Sequence, residues 1–356
     1  MPDPGVLAVL YGGPSAEHEI SCISARRIVA TALQVGFTVR VIGLTHDTQW
    51  VDANGVLHHV DGLEALPSPD DLVRQDPALA LGHLGAVLPP DAVVFPVLHG
   101  PFGEDGVLQG HLEAIGVPYV GAGVLASAIC MDKSVAKSVL RDHGLPVAPW
   151  RTIARPSWST DVMEEALEAL GLPLFVKPAN LGSSIGVAKA ADAAALGDAV
   201  QSAFEYDDHV ILEEFVAGRE LELALLGNED VRVTRAGEII ASREFYDYDD
   251  KYLLDRAEIR LPADLPAEQT AELRRLAVEC YRAVECEGMA RVDFLLEAAT
   301  GKLYINEINT IPGFTSISMY PKMWEASGIG FSALVDRLIE LALERHARKK
   351  ATRFTR

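Results

Sequence analysis

Short apolar runs alternate with amphipathic stretches along the first third of the chain. Residues 6–11, 38–44 and 92–98 have the length and composition of buried strands, and residues 17–34 show the apolar spacing of a helix. This alternation predicts a doubly wound α/β domain. Residues 46–90 interrupt it with sequence rich in Asp, Pro and His and of weak periodicity, which we interpret as a surface elaboration and not as a domain.

Beyond residue 121 the pattern changes to shorter strands and separate helices. A helical stretch to about residue 142 precedes a helix near 160–170 and two strands that flank residues 182–186. Alternating strands then run to residue 245, followed by a polar loop at 246–256, an amphipathic helix at 267–286 and a hairpin. These changes predict three domains, covering residues 1–121, 122–212 and 213–356.

The hairpin carries the most informative polar residues. Strand alternation places Arg291 and Asp293 on one face of its first strand. Glu307 and Asn309 share a face of the second strand, so oxygen atoms of Asp293, Glu307 and Asn309 can meet at one point. Oxygen donors without His or Cys suit Mg²⁺, which proteins usually hold together with substrate phosphates. The alternative is an antiparallel hairpin, turned at residues 299–301, whose polar residues face water.

A loop of glycine and serine lies between two short strands at residues 182–186. Consecutive backbone N–H groups of such a loop can bind phosphate oxygens, and Lys177 on the preceding strand supplies a positive charge. It is not a Walker A loop, because no Gly-Lys-Ser/Thr follows, and a flexible hairpin turn explains the loop equally well. Further on, residues 212–216 and Glu220 resemble a linker strand that binds adenine and ribose, although acidic strand ends are usually just solvated.

Two strands of the first domain end in residues suited to binding. Glu17 follows the first strand, where it either complements the dipole of the next helix or binds a cationic group of a ligand. His99 follows another strand beside a glycine, which is more typical of a site than of a core. Residues 246–252 combine three tyrosines with charges, which indicates either a lid or an exposed turn, and the aromatic residues favour the lid.

Composition narrows the possible functions. The chain has 356 residues, 49% of them hydrophobic, and a net charge of −20, which argues against nucleic acid and anionic membranes as partners. Its dense basic run, from residue 345 to residue 356, is interpreted as a frayed helix end. Four cysteines without Cys-x-x-Cys spacing are expected in the core. Without a signal segment or a membrane span, the sequence predicts a cytoplasmic protein.

Several short motifs follow one another along the chain in a characteristic order. They are Tyr11-Gly-Gly-x-Ser-Ala-Glu, His99-Gly-x-x-Gly-Glu-Asp-Gly, Met131-Asp-Lys, Lys177-Pro-Ala-Asn-x-Gly-Ser-Ser, Tyr246-Asp-Tyr-x-x-Lys-Tyr, Arg291-x-Asp and Asn306-Glu-Ile-Asn-Thr-x-Pro-Gly. Over residues 6–328 their order and spacing resemble the ATP-grasp superfamily, and within it the D-alanine:D-alanine ligase family. The resemblance implies an ATP-grasp α/β fold, with a doubly wound N-terminal (pre-ATP-grasp) domain and two α+β domains that enclose ATP. It also suggests a homodimer through the N-terminal domain.

The resemblance implies a role for each matching residue. Lys133 and Lys177 would contact the ATP phosphates, Gly182 and Ser184 would cover them, and Lys251 would lie nearby. The residues that would hold the adenosine are Glu213, Glu214, Val216 and Glu220. Asp293, Glu307 and Asn309 would bind two Mg²⁺, for which Mn²⁺ could substitute. Glu17 and Ser183, completed by Tyr252, would hold the ammonium end of the first D-alanine. Ser318 and Arg291 would hold the second carboxylate, and further substrate contacts would come from His99, Lys251 and Met319.

The implied reaction joins two D-alanines for peptidoglycan precursor synthesis. The first carboxylate attacks the γ-phosphorus of ATP, and the amine of the second D-alanine attacks the resulting acylphosphate. Arg291 and the amide of Gly313 would stabilise the oxyanion. The alternatives within the same fold are ligases that join D-alanine to D-lactate or D-serine, or that use another carboxylate and amine. Tyr252 favours the amine of D-alanine as the nucleophile. From another class, a nucleotide-binding regulatory protein without turnover is the alternative.

Overall fold

The computed structural model describes residues 5–73, 79–240 and 258–352, and its N-terminal part is built on a five-stranded sheet. The strands are β1 (Val6–Gly12), β2 (Thr38–Leu44), β3 (Gln49–Asp52), β4 (Leu79–Ala80) and β5 (Ala92–Pro96), in the order β4-β3-β2-β1-β5. β1 pairs in parallel with both β2 and β5. The helices are α1 (His18–Gln34), α2 (Pro69–Leu72), α3 (Leu84–Val87) and α4 (Val107–Ile115), with 3₁₀ turns at Asn54–His58, Val60–Gly62 and Leu81–His83.

Both faces of this sheet are covered, as a doubly wound arrangement requires. Leu7 and Val9 of β1 pack in one apolar cluster with α1, while Ala8 and Leu10 pack in another with α3 and α4. Because neighbouring residues of a strand point to opposite faces, a strand covered on both sides has to be apolar throughout. The predicted α/β alternation of the first third is confirmed.

Residues 46–90 contribute two strands to this sheet, so their interpretation as a surface elaboration is wrong. β3 runs antiparallel to β2, and β4 pairs with β3. Trp50 of β3 is buried and donates its indole N–H to the carbonyl of Leu81 at 2.9 Å. The two strands have four and two residues, which is too short for a periodic pattern to appear in the sequence.

Polar contacts fasten the same segment to the start of α1. His18 contacts the Gly13 carbonyl through Nδ1 at 2.7 Å and the Ser68 hydroxyl through Nε2 at 3.0 Å. Ser68 donates to Asp70 at 3.3 Å, and the carboxylate of Asp70 also accepts from Nδ1 of His46 at 2.8 Å. These contacts hold α2 against α1 immediately beside residue 17.

A second sheet of four strands forms the middle of the chain. Its strands are β6 (Trp150–Ala154), β7 (Leu174–Pro178), β8 (Ala188–Ala190) and β9 (His209–Glu214), paired antiparallel in the order β6-β9-β7-β8. α7 (Thr160–Leu170) and α8 (Ala193–Ala203) pack on one face around Val176 and Val210, and a 3₁₀ turn spans Arg155–Ser157. Since strand residues alternate between faces, Lys177 and Glu213 lie on the other face.

The third sheet contains six strands. They are β10 (Gly218–Gly227), β11 (Arg232–Val233), β12 (Gly237–Ile240), β13 (Glu258–Arg260), β14 (Gly288–Glu297) and β15 (Leu303–Asn309). Their order is β13-β12-β10-β14-β15, with β11 beside β10. α9 (Ala267–Ala283) covers one face, and α10 (Met319–Ala326) and α11 (Phe331–Ala351) cover part of the other. The predicted antiparallel hairpin is confirmed as β14 and β15.

Two further helices, α5 (Val124–Met131) and α6 (Lys133–Asp142), precede the middle sheet in sequence but pack elsewhere. Ala126, Cys130 and Leu140 lie in the same apolar cluster as Leu223 of β10 and Ile305 of β15. The C-terminal core is therefore completed by residues that come before the middle sheet. The domain limits drawn from the sequence stay predictions.

As far as the structure describes it, the basic run belongs to α11 and is an anchor, so its interpretation as a frayed helix end is wrong for these residues. Arg345 is buried, donates to the carbonyls of Gly121 and Tyr119, and stacks over the Tyr119 ring with a centroid distance of 4.3 Å. Lys349 forms an ion pair with Glu113 of α4 at 2.5 Å. The run thus ties the C-terminal helix to the N-terminal sheet, a contact that no local pattern indicates.

The cysteines behave as the small core residues that the sequence predicts. Cys22 lies in the core of the N-terminal sheet, and Cys130, Cys280 and Cys286 lie in the core of the C-terminal sheet. Within the described ranges, no helix is both long and apolar enough to span a bilayer.

Candidate active site

One pocket is lined by residues from all parts of the chain. The lining residues that the sequence singled out are Glu17, His99, Lys133, Lys177, Gly182, Ser183, Ser184, Glu213, Glu214, Glu220, Arg291, Asp293, Glu307, Asn309, Gly313, Ser318 and Met319. They are spread over most of the chain, so only folding brings them together.

Three carboxylates stand side by side on neighbouring strands of the C-terminal sheet. Glu222 of β10 pairs with Asp293 of β14, which pairs with Glu307 of β15. Residues paired directly across antiparallel strands share a face, with Cβ atoms about 4.5–5.5 Å apart. Asp293 is buried in the pocket, so the alternative of a hairpin with polar residues in bulk water is wrong.

Arg291 and Asn309 form the next pair along the hairpin and compensate part of this charge. The guanidinium donates to both oxygens of Asp293, at 2.7 Å from Nε and 2.6 Å from Nη2, and its Nε lies 3.3 Å from Glu222. The amide nitrogen of Asn309 donates to Asp293 at 3.0 Å. Like charges directly opposite each other on neighbouring strands repel, and these contacts reduce the repulsion among the three carboxylates.

A β-bulge turns one more side chain towards the pocket. The pairing of β14 with β15 shifts between Asp293 and Phe294, which leaves Asn306 as an extra residue of β15. Asn306 accepts a hydrogen bond from Lys177 Nζ at 3.3 Å. In a regular strand, Asn306 and Glu307 would point to opposite faces, but both line the pocket.

Two lysines share the carboxylate of Glu213. Lys137 pairs with Oε1, and Lys177 pairs with Oε2 at 2.5 Å. Burial by itself would raise the pKa of Glu213, but the two ammonium groups outweigh it and lower the pKa to about 2. Glu213 is therefore ionised at neutral pH and holds Lys177 beside the pocket. Lys133, one helical turn before Lys137, donates to the carbonyl of Leu181.

The loop between β7 and β8 reaches the N-terminal domain. Ser183 donates its hydroxyl hydrogen to Glu17 across 166 positions of sequence, and a Cβ at Gly182 would lie 2.8 Å from Glu17 Oε2. Ser183 and Ser184 have φ of 51° and 57°, a left-handed conformation that is uncommon outside glycine. The two residues that the sequence assigns to one substrate group, Glu17 and Ser183, are thus in contact.

His99 and Glu104 meet at the backbone of Ile311. His99 Nδ1 donates to the Ile311 carbonyl at 3.0 Å, and its Nε2 is buried without a hydrogen-bond partner among the described residues. Glu104 accepts from the N–H groups of Gly100 at 2.8 Å and Ile311 at 2.9 Å. Burial lowers the pKa of His99, whereas burial and the charge of Glu17 raise the pKa of Glu104 to about 8. His99 is therefore a neutral ring whose Nε2 can accept a hydrogen bond.

The segment after β15 forms a tight turn beside the pocket. Ser318 accepts from the Thr315 N–H at 3.0 Å, and the two hydroxyls lie 2.8 Å apart. A Cβ at Gly313 would lie 2.7 Å from the Ser318 oxygen, so a larger residue would displace this hydroxyl. Met319 begins α10 with its side chain buried, which leaves its backbone as the part that can meet a ligand.

The remaining predicted residues differ in their placement. Glu214 is exposed at the end of β9, Val216 is buried just beyond it, and Glu220 lines the pocket. Lys251 and Tyr252 lie outside the described residues, as does the predicted lid at 246–256.

Sequence reasoning missed Lys137, Glu222, Glu104 and Asn306. Two of them carried a signal that periodicity could have revealed. Lys137 lies four residues after Lys133 on one helix face, and Glu222 alternates with Glu220 on one strand face. Glu104 lies inside one of the motifs, but its hydrogen bond with Ile311 is a long-range contact that the sequence does not show. Asn306 lines the pocket because of the β-bulge, which the sequence does not show either.

Comparisons with known proteins agree over nearly the whole chain. The sequence matches the families described as "D-ala D-ala ligase N-terminus" over residues 6–122 and "D-ala D-ala ligase C-terminus" over residues 139–340. D-alanine--D-alanine ligase of Solibacter usitatus is 51% identical, covering 98% of this chain and 99% of its own length. D-alanine--D-alanine ligase A of Salmonella typhimurium is 45% identical, covering 98% of both chains.

Solved structures give the same picture. The D-alanine-D-alanine ligase from Coxiella burnetii has a TM-score of 0.82 and 38% identity, covering 97% of this chain and 95% of its own. The VanG D-Ala:D-Ser ligase from Enterococcus faecalis also has a TM-score of 0.82, with 36% identity over 95% of this chain and 99% of its own. The predicted ATP-grasp α/β fold is confirmed by these matches.

Proposed function

This chain belongs to the D-alanine–D-alanine ligase family, and we propose that the pocket described above joins two D-alanine molecules to D-alanyl-D-alanine. The reaction consumes ATP, releases ADP and phosphate, and supplies a precursor of peptidoglycan. One observation carries the assignment of the site: Glu17, Arg291 and Asp293 line the same pocket as Lys177. The pocket thereby combines a partner for the substrate ammonium group (Glu17), a partner for the oxyanion (Arg291), a metal ligand (Asp293) and a partner for the ATP phosphates (Lys177).

The phosphates of ATP lie, in this proposal, between Lys177, Lys133 and the loop at 182–186. Lys177 is suited to this because Glu213 and Asn306 hold its ammonium group in place. The backbone N–H groups of the loop can bind phosphate oxygens. Glu220 lines the pocket and can accept hydrogen bonds from the ribose hydroxyls. Glu214 and Val216 are assigned to the adenosine because they lie in the linker strand that contains Glu213.

The residues at the hairpin fit a divalent cation. Asp293 and Glu307 are direct cross-strand partners, and the amide oxygen of Asn309 belongs to the pair beside them. This is a set of hard oxygen donors, which Mg²⁺ prefers, and it faces the proposed phosphate site. Bound there, Mg²⁺ would neutralise charge on the transferred phosphoryl group. We assign two Mg²⁺ to these residues, with Mn²⁺ able to substitute.

The first D-alanine is held by its ammonium group at Glu17, which Ser183 orients through its hydroxyl. Tyr252 and Lys251 are proposed as further contacts from their motif, as is the neutral ring of His99 from its place in the pocket. The substrate carboxylate then attacks the γ-phosphorus of ATP, ADP leaves, and an acylphosphate forms. Closing the 182–186 loop over Glu17 limits hydrolysis of this intermediate because it excludes water.

The second D-alanine is held by its carboxylate at Ser318, at the backbone of Met319 and at Arg291. The N–H groups at the start of α10 favour such an anion. Its amine attacks the acyl carbon, and the oxyanion that forms is stabilised by Arg291 and by the amide of Gly313. Removing one donor of this kind typically lowers kcat by about 10²–10³. Phosphate leaves with the proton that the attacking amine loses, and the dipeptide remains.

The assignment is tested by measuring phosphate release from ATP and Mg²⁺ and identifying the products by mass. The arms are D-alanine, L-alanine, D-alanine with D-lactate, D-alanine with D-serine, and no amino acid. Phosphate release with D-alanine alone, matched mole for mole by D-alanyl-D-alanine, is the expected result. Preferential formation of a mixed product with D-serine or D-lactate would contradict the assigned second substrate, and no release in any arm would contradict the reaction.

Two further properties belong to the same proposal. We place the enzyme in the cytoplasm, where ATP is available to it, and we assign it a homodimer through the N-terminal sheet domain. Light scattering coupled to gel filtration tests the second statement. A mass near 77 kDa, twice the 38.4 kDa of the chain, is expected, and a mass near 38.4 kDa would contradict it.

A further inference from the structure

Glu222 is a buried acidic residue of the pocket to which the proposed mechanism gives no role. It is 6% exposed and lies on β10, directly opposite Asp293. Asp293 in turn lies opposite Glu307, so Glu222 is the third carboxylate of a row that crosses three strands. Burying a carboxylate is costly unless a partner compensates its charge. Arg291 is a cation beside it, and the Nε of Arg291 lies 3.3 Å from Glu222 Oε2.

Arg291 is shared unequally between its two acidic neighbours. It forms a bidentate pair with Asp293, at 2.7 Å and 2.6 Å, and a single longer contact with Glu222. Bidentate geometry between guanidinium and carboxylate is the stronger arrangement. In this structure Asp293 is therefore the main partner of Arg291, and Glu222 is a secondary one.

This arrangement conflicts with the two roles proposed for these residues. Both oxygens of Asp293 accept from Arg291, and one of them also accepts from Asn309. A metal ligand must offer an oxygen lone pair to the ion, and a guanidinium in contact with the same oxygen opposes that by charge repulsion. For Asp293 to bind a metal, Arg291 has to loosen its bidentate contact while staying in the pocket for the oxyanion.

We propose that Glu222 is a positioning residue that takes over the guanidinium of Arg291 when Asp293 binds the metal. The inference rests on the proposed function, since it assumes that Asp293 is a ligand and that Arg291 acts on the substrate. Glu222 is placed for the exchange because it lies on the strand next to Asp293, on the side away from Glu307. A small rotation of the guanidinium about its side chain exchanges one carboxylate for the other.

The test measures metal binding directly. Mn²⁺ is titrated into the protein with ADP present, and free Mn²⁺ is followed by its electron paramagnetic resonance signal. Glu222→Gln keeps the shape of the side chain but removes its charge, so Arg291 stays on Asp293 and competes with the metal. We expect Mn²⁺ affinity to fall by about tenfold, the size typical of coupled neighbours in one ion-pair network. Glu222→Asp, which keeps the charge, should recover part of the affinity.

Glu238 supplies the matched control. It is also buried, at 4% exposed, and is paired bidentately with Arg219 at 2.6 Å and 2.8 Å. It lies opposite Leu221 in the pairing of β12 with β10, and therefore on the other face of the sheet from Glu222. Glu238→Gln should lower the melting temperature as a broken buried ion pair does, but leave Mn²⁺ affinity unchanged. A general effect of losing a buried charge is thereby separated from the proposed one.

A double-mutant cycle decides whether Glu222 acts through Arg291. In the Arg291→Met background Asp293 has no guanidinium to release, so adding Glu222→Gln should change Mn²⁺ affinity by less than about twofold. A full tenfold loss in that background would overturn the proposal, because Glu222 would then act on the metal directly. Unchanged affinity of Glu222→Gln in the wild-type background would overturn it too.

Failure of the inference is distinguishable from failure of the proposed function. If the wild-type protein forms D-alanyl-D-alanine but Glu222→Gln binds Mn²⁺ normally, only the inference fails. If the wild-type protein forms no dipeptide from D-alanine, the proposed function fails before any variant is compared. In the supporting case, kcat of Glu222→Gln also falls, and raising the Mn²⁺ concentration restores part of it.

Discussion

Glu213→Gln is the substitution whose consequence follows most directly from the structure. Glu213 and Lys137 are each 2% exposed, and the carboxylate is shared by Lys137 and Lys177. A glutamine keeps the volume and one acceptor oxygen but removes the negative charge. Lys177 retains Asn306 as a partner, whereas Lys137 stays buried and loses the carboxylate with which it forms an ion pair. We expect the cost to arise mainly at Lys137.

Two independent routes give the same magnitude. Lowering the pKa of Glu213 from 4.5 to about 2 corresponds to about 3 kcal/mol of stability at 1.36 kcal/mol per pKa unit. Removing one partner from a buried ion pair typically costs about 3–5 kcal/mol. In a large chain, 1 kcal/mol shifts the melting temperature by about 2 °C, so Glu213→Gln should melt about 6–10 °C below the wild type.

The pH dependence of this difference has a definite sign. The pKa of Glu213 is lower in the folded than in the unfolded protein, so its contribution is fully present above the unfolded value of 4.5. The contribution is lost as the pH falls from 4.5 towards 2. The difference in melting temperature between the wild type and Glu213→Gln should therefore have its largest value at pH 7 and be roughly half as large at pH 3.

The assay is thermal melting followed by circular dichroism, without nucleotide, at both pH values. Lys137→Met is the companion variant, because Glu213 then keeps Lys177 and the loss should be smaller. The double variant with Lys137→Met and Glu213→Gln removes the orphaned lysine and should melt above Glu213→Gln alone. A melting difference below about 2 °C at pH 7, or one that does not shrink at pH 3, would refute the reasoning.

Three other outcomes are expected. Arg291→Ala should lower dipeptide formation by at least about 10² because an oxyanion donor is lost, and a product yield within twofold of the wild type would exclude that role. Glu17→Gln should raise KM for D-alanine by about tenfold or more with KM for ATP unchanged, since the ammonium group loses its charged partner; an increase confined to ATP would contradict the assignment. Arg345→Met should lower the free energy of unfolding by about 3 kcal/mol, because the buried carbonyls of Tyr119 and Gly121 lose their donor, and it should leave both KM values unchanged.

Much of the architecture could be predicted because it depends on local periodicity. The apolar run of β1 indicated a strand covered on both faces, and the alternation along β14 placed Arg291 and Asp293 on one side. Segments too short to show a period were misread, as with β3 and β4. The buried role of Arg345 was missed for a different reason, since a basic helix end has the same local pattern whether it is exposed or anchored.

The sequence alone determined which residues could do chemistry, because residue type and strand alternation are local properties. Carboxylates and an amide on one hairpin face, a lysine before a glycine loop, and Glu17 after a strand were all visible without coordinates. Tertiary structure alone decided which of them touch. Ser183 meets Glu17 across 166 positions, Glu213 binds Lys137 as well as Lys177, and Arg291 lies between Asp293 and Glu222. Such contacts depend on how separate sheets are placed against one another, and that placement is set by packing of the whole core, which no local pattern contains.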